Sequence, residues 1–95
     1  MQENNMNDDL KNNYEFMTSS EIAKSLALKI KVIRKKRFNT QKLFAEHIGM
    51  NFNMYARFEQ TGQISFPGFI KITQGLDVAE EIALLFSKDK DIIEW

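Results

Sequence analysis

The chain has 95 residues, enough for one domain with a modest core and too few for a second, ligand-binding one. It has no cysteine, which excludes disulfides, thiol catalysis and cysteine-ligated zinc, and a single histidine, which without partners makes no metal site. Acidic and basic side chains balance at 13 each, but residues 22–62 carry nine Lys or Arg against Glu46 and Glu59, a local charge of +7 between two acidic ends.

A nucleic acid responds to a local face and not to the global sum, so the zero net charge does not exclude one as a partner. Residues 1–17 are rich in Asn and acidic groups, lack helical periodicity and read as a flexible tail. They show no basic-then-apolar leader, and the longest apolar run, residues 82–86, is far too short for a bilayer. The expected compartment is cytoplasmic, with no membrane partner.

The folded part is expected over residues 18–87. Thr18-Ser19-Ser20-Glu21 is a capping box that opens a helix. Its apolar positions Ile22, Leu26, Ile30 and Ile33 step by three and four, with Ala23 and Val32 nearby. Lys35, Lys36 and Arg37 crowd its C-terminal end, where cations suit the helix dipole and where they can also lie along a phosphate backbone. Asn39 or Thr40 caps a second helix that runs to about Ile48, and Gly49 supplies the turn. Asn51 caps a third helix ending near Gln60. Ser65 with Phe66-Pro67 opens a fourth, with Phe69, Ile70, Ile72 and Leu76 apolar and Gly75 breaking it near its end. Asp77-Val78-Ala79-Glu80 reads as a second capping box, opening a fifth helix with Ile82, Ala83, Leu85 and Phe86. Residues 88–95 form a charged C-terminal tail that contains Ile92, Ile93 and Trp95. No stretch alternates with period two for long enough to form a strand, so the expected class is all-α, a compact five-helix domain.

The second and third helices carry the functional signal. Two helices that cross closely need a small residue at the crossing, which Ala45 supplies, and a turn without Cβ strain, which Gly49 supplies. Phe44 and Ile48 face the core with Tyr55 and Phe58. Asn53 and Arg57, four apart, lie opposite Tyr55. This is the layout of a helix-turn-helix, whose second helix enters the DNA major groove.

The matching motifs are Ile33-Arg34-Lys35-Lys36-Arg37, Thr40-Gln41-x-x-x-Ala45-x-x-x-Gly49, Tyr55-x-Arg57-Phe58-Glu59, and Phe69-Ile70-Lys71-Ile72 before Leu76. On these, residues 22–86, about two thirds of the chain, resemble the Cro/cI-type (XRE) helix-turn-helix proteins. The resemblance implies a lambda-repressor-like domain that binds operator DNA, usually as a dimer, and a phosphate contact for Gln41. The chain departs from the family at Phe44, where leucine is frequent, at Phe52, where a polar or basic residue is frequent, and at Gln60-Thr61-Gly62, a residue longer than the commonest turn.

Asn suits adenine N6/N7, and Arg suits guanine O6/N7 or a phosphate. Phe52 lies about 60° round the helix from Tyr55. Partial burial at the core edge is expected for it, and a thymine methyl is the other partner open to its ring. Glu59 is expected to bond within the domain and His47 to be solvated. The DNA-binding set is thus Thr40, Gln41, Asn51, Phe52, Asn53 and Arg57, joined by Lys36 and Arg37.

Convergent reactive groups are missing, so no enzyme, catalytic residue, cofactor or metal is expected. The expected function is a sequence-specific DNA-binding transcriptional regulator, a repressor or autoregulator, acting on double-stranded DNA as a homodimer. The alternative is a protein-interaction module or antitoxin that partners a toxin on the same fold. Either Ile82, Leu85 and Phe86 close the monomer core and the tail with Ile92, Ile93 and Trp95 is disordered, or this C-terminal region forms the dimer contact.

Overall fold

A computed structural model describes residues 14–85 and 87. Among the described residues the helices used below are, in chain order, α1 (Ser19–Arg37), α2 (Gln41–His47), α3 (Phe52–Thr61), α4 (Phe66–Gly75) and α5 (Ala79–Ala83). There is no strand among the described residues. The protein is all-α.

Local chemistry sets most of the helix starts. Thr18 Oγ1 accepts from Glu21 N at 3.1 Å while Glu21 Oε1 accepts from Thr18 N at 2.9 Å, which completes the expected capping box. Thr40 Oγ1 takes Leu43 N, Asn51 Oδ1 takes Met54 N and Ser65 Oγ takes Gly68 N, so each of the next three helices has one of its orphan N–H groups satisfied. α2 ends in a Schellman closure: Met50 N bonds Ala45 O at 2.9 Å, Gly49 N bonds Glu46 O at 3.1 Å, and Gly49 takes φ +67°.

The expected capping box at Asp77 is corrected. Asp77 has φ +61°, with Val78 N on Thr73 O and Asp77 N on Gln74 O. It therefore closes the end of α4 in the left-handed position that Gly49 fills for α2. The N-cap of α5 is Val78, which makes no side-chain cap bond. Asp and Asn are the residues besides glycine that tolerate this conformation, which is why a cap-like sequence can serve the opposite helix end.

The core is built from Ala27, Ile30, Phe44, Ala45, Ile48, Tyr55, Phe58, Ile72 and Leu76. Each large side chain among them contributes about 1.5–3 kcal/mol relative to exposure. Rings at Phe38, Phe44, Tyr55, Phe58 and Phe69 succeed one another at centroid separations of 5.0–6.1 Å, linking the end of α1 through α2 and α3 to α4. α3 is the central helix, with α1 and α2 packed along it.

The buried face of α1 is the expected one only in part: Ile30 is buried and Ile33 packs against the core. Leu26 is 40% exposed and Val32 52%, while Ala27 and Ile30 are buried together with Arg34. Small residues of α1 lie here because its backbone closely approaches the end of α3: a Cβ on Gly62 (φ +80°) would lie 2.6 Å from the Ala23 carbonyl carbon. Gly75 is the last residue of α4, as expected, and also serves packing, since a Cβ there would stand 2.3 Å from Ile48 Cγ2.

Of the expected tail, residues 1–13 lie outside the described residues. Residues 14–16 form a helical turn held to α1 by a 2.8 Å hydrogen bond between the Tyr14 and Ser25 hydroxyls, with Lys29 Nζ 5.5 Å from the Tyr14 ring centre. At the other end Ile82 is half-buried, Leu84 and Leu85 are exposed, and Phe86 and residues 88–95 lie outside the described residues.

Candidate nucleic-acid interface

At 100° per residue, Asn53, Arg57 and Gln60 fall within about 60° of one another on the side of α3 away from Tyr55 and Phe58. All three are exposed, and Ala56 between them is half-buried. Arg57 Nη2 donates to Gln63 Oε1 at 2.8 Å, just past the helix end. Asn53, Met54, Arg57, Gln63 and Ile64 line an open depression of about 530 Å³ beside this stripe.

The one carboxylate of α3 points the other way. Glu59 accepts from Arg34 Nε at 2.9 Å, from Arg34 Nη2 at 3.1 Å, from Gln41 Nε2 at 2.7 Å and from the Tyr55 hydroxyl. The Arg34 and Glu59 side chains are 4% and 2% exposed. Burial alone would raise the Glu59 carboxyl, but the bonds from Arg34, Tyr55 and Gln41 outweigh it and hold the group below its ordinary range. Burial, reinforced by Glu59, pushes the Tyr55 hydroxyl up, so it stays a donor. The expected internal role of Glu59 is what these bonds describe. With Arg34 and Glu59 neutralising each other inside the core, Glu46 is the one exposed carboxylate between residues 22 and 62.

The candidate residues do not all arrive free. Gln41 commits one Nε2 hydrogen to Glu59 and keeps a second. Thr40 and Asn51 spend their side-chain oxygens as helix caps, leaving the Thr40 hydroxyl proton and the Asn51 amide hydrogens as donors. Arg37 binds Leu76 O at 2.6 Å and Asp77 Oδ2 at 3.1 Å, which ties it to the end of α4. Lys36 is exposed. Phe52, in the first turn of α3, is 45% exposed and does not belong to the core cluster. His47 is exposed, as expected, with its ring 4.9 Å from that of Phe38.

Two residues join this surface that sequence reasoning passed over. Gln60 lies seven positions after Asn53, two helical turns along the same stripe, so its spacing was visible in the sequence. Lys71 of α4 reaches over the α2–α3 turn, its Nζ 4.0 Å from where a Cβ on Gly49 would stand, and shares a hollow with Asn51 and Met54. Only the docking of α4 brings it there. Lys31 of α1 and Gln41 border the same notch as Gln60.

Among the described residues no group of three His, Cys, Asp or Glu side chains could hold a metal ion, and no helix is long and apolar enough to cross a membrane. Comparison with family models, with curated proteins and with solved structures gives no match for this chain.

Proposed function

We propose that the chain is a sequence-specific DNA-binding regulator, with α2 and α3 acting as a helix-turn-helix of the Cro/cI type in a lambda-repressor-like domain and α3 seated in the major groove. The observation that carries this reading is the outer face of α3: two amides and a guanidinium on one stripe, with the only carboxylate of the helix turned into the core. Asn53 and Gln60 have the paired donor and acceptor that match adenine N6/N7, and Arg57 matches guanine O6/N7. Around them the Gln41 and Asn51 amides, the Thr40 hydroxyl, Lys31, Lys36 and Lys71 supply donors and positive charge for phosphates. Phe52, outward at the start of α3, is available to a thymine methyl.

The reading extends to a cytoplasmic repressor or autoregulator that works as a homodimer on two half-sites about 34 Å apart. Exposed Leu84 is an apolar residue available to the two-fold contact.

The test is selection of preferred duplexes from a random library, followed by anisotropy titration of the best sequence at two salt concentrations. A defined site, bound at least about 10³-fold tighter than random duplex, is expected. Asn53→Ala and Gln60→Ala should each relax preference at separate base positions. Binding no tighter than to random duplex would transfer the assignment to the protein-interaction or antitoxin reading.

A further inference from the structure

Arg57 is held in place by its own backbone. Its carbonyl oxygen accepts from the Thr61 hydroxyl at 2.7 Å, and Thr61 Oγ1 in turn accepts from Gln63 N at 3.1 Å. Between them Gly62, at φ +80°, turns the chain back after its own N–H has closed α3 on Phe58 O at 2.7 Å. Gln63 is thereby returned alongside the helix, where its Oε1 accepts from Arg57 Nη2 at 2.8 Å. Three hydrogen bonds thus run from the Arg57 main chain through Thr61 and Gln63 to the Arg57 side chain. Arg57 and Gln63 are both exposed, so this ring is formed at the surface and not by burial in the core.

The partner of Arg57 also differs in kind from those of the other two arginines. Arg34 and Arg37 each bind a carboxylate, which cancels their charge. Gln63 offers a neutral acceptor, which orients the guanidinium and leaves its charge for an anionic ligand. One of the five guanidinium N–H groups is spent on Gln63, and the four that remain are enough for a two-pronged contact. Arg57 and Gln63 line the same depression as Asn53, so the oriented group borders the place where a base edge would enter.

We propose that Gln63 is the positioning residue for guanine recognition: it fixes the Arg57 guanidinium before DNA arrives and so sets how strongly guanine is preferred at the base pair that Arg57 meets. The inference rests on the DNA-binding reading above. Its size follows from entropy. Ordering a long, flexible side chain on binding costs about 2- to 12-fold in affinity, and a side chain already ordered in the free protein avoids most of that loss.

The test uses the full chain and anisotropy titration of its selected duplex. The Arg57 base pair is the one whose preference Arg57→Ala abolishes. Companion duplexes replace the guanine there by adenine, or by 7-deazaguanine, which lacks only the N7 acceptor. The parent should prefer guanine by about 5- to 150-fold. Gln63→Ala, and Gln63→Met with its similar length but no amide, should each lower that preference by about 2- to 12-fold. Preferences at the Asn53 and Gln60 positions, the salt slope and the urea midpoint should stay at parental values. In an Arg57→Ala background Gln63→Ala should change nothing further at this position. Full guanine preference in both Gln63 variants would overturn the proposal, as would a loss spread evenly over all positions. A further loss in the Arg57→Ala background would overturn it too, since Gln63 would then touch a base itself. A defined site with no position sensitive to Arg57→Ala would overturn it while leaving the DNA-binding reading intact, whereas a parent that binds all duplexes alike would overturn both.

Discussion

Removing the Glu59 carboxylate is the sharpest test of how this fold is held. Glu59→Ala strips Arg34 of its counter-charge, leaves the Tyr55 hydroxyl without its acceptor and releases Gln41. Arg34 keeps only the Phe38 and Asn39 carbonyls, at 3.2 and 3.3 Å. Breaking a buried pair by removing one partner costs about 3–5 kcal/mol. For the roughly 70 residues of the folded part the total stability is about 4–11 kcal/mol, so the loss is roughly a quarter of it or more. Glu59→Gln retains an acceptor oxygen but no charge and should cost about 1–3 kcal/mol. The triple variant Arg34→Met, Tyr55→Phe, Glu59→Met leaves no polar group stranded and should fall within about 2 kcal/mol of the parent. Urea denaturation followed by circular dichroism reads all three. The pH dependence adds a sign. Because the folded carboxyl lies below its unfolded value near 4.5, its contribution is fully present above that value and is lost as pH falls through the depressed folded one. The gap between parent and Glu59→Gln should therefore close in acid. A Glu59→Ala cost under about 1 kcal/mol, or a triple variant as unstable as the sum of its parts, would refute the reasoning.

The two left-handed glycines should respond differently to substitution, although both have positive φ. Gly62→Ala adds a Cβ that meets the Ala23 backbone at 2.6–2.8 Å and should lower stability by more than about 2 kcal/mol, whereas the Cβ of Gly49→Asn meets only Lys71 Nζ at 4.0 Å, and this substitution should cost less than about 1 kcal/mol in the same melts. Gly75→Ala forces a methyl against Ile48 and Phe44, and thermal unfolding should show an overpacking cost of about 1–3 kcal/mol. On a selected duplex, with about four phosphates neutralised, log K against log salt should have a slope of roughly −3 to −4, and Lys71→Ala should flatten it by about one while leaving base preference intact. A slope near zero, or a change of preferred bases in Lys71→Ala, would count against the placement of Lys71 at the backbone.

What could be read in the sequence is what is decided locally. The caps at Thr18, Thr40, Asn51 and Ser65 involve partners three residues away, and the Gly49 turn is closed by its own helix, so type and position were enough. The register of α1 was readable in part: Ile30 and Ile33 of the expected stripe face the core, whereas Leu26 is exposed and Ala27 and Arg34 are buried instead. The choice falls to Arg34, a charged residue that is buried because its partner waits 25 positions further on. Asp77 was misread for a related reason: a residue that caps a helix start also tolerates the left-handed conformation that ends one. Asn53, Gln60 and Arg57 share a face by periodicity alone, whereas Lys71 reaches the turn only after α4 has docked.

Glu59 links stability to the proposed interface in a way that neither role reveals separately. α3 must carry enough internal bonding to be held rigidly by α1 and α2, and its outer face must present donors to an anionic partner. A carboxylate is the acceptor best suited to gather a guanidinium, a phenol and an amide from three helices. It is also the group least tolerated beside phosphates. The two demands are compatible only if the carboxylate lies on the inner side of the helix and stays ionised there, which the bonds from Arg34, Tyr55 and Gln41 ensure. The Arg37–Asp77 pair makes the contrast. Its side chains are 46% and 83% exposed, it is worth at most about 1 kcal/mol, and it binds the end of α4 without clearing charge from α3. Gln41 stands at the junction of the two demands. One amide hydrogen holds Glu59 inward while the other remains for a phosphate, so Gln41→Ala should weaken DNA binding more than it weakens the fold, and should do so for every sequence alike. Equal losses in both, measured as Kd for specific and random duplexes against urea stability, would confine Gln41 to the structural role.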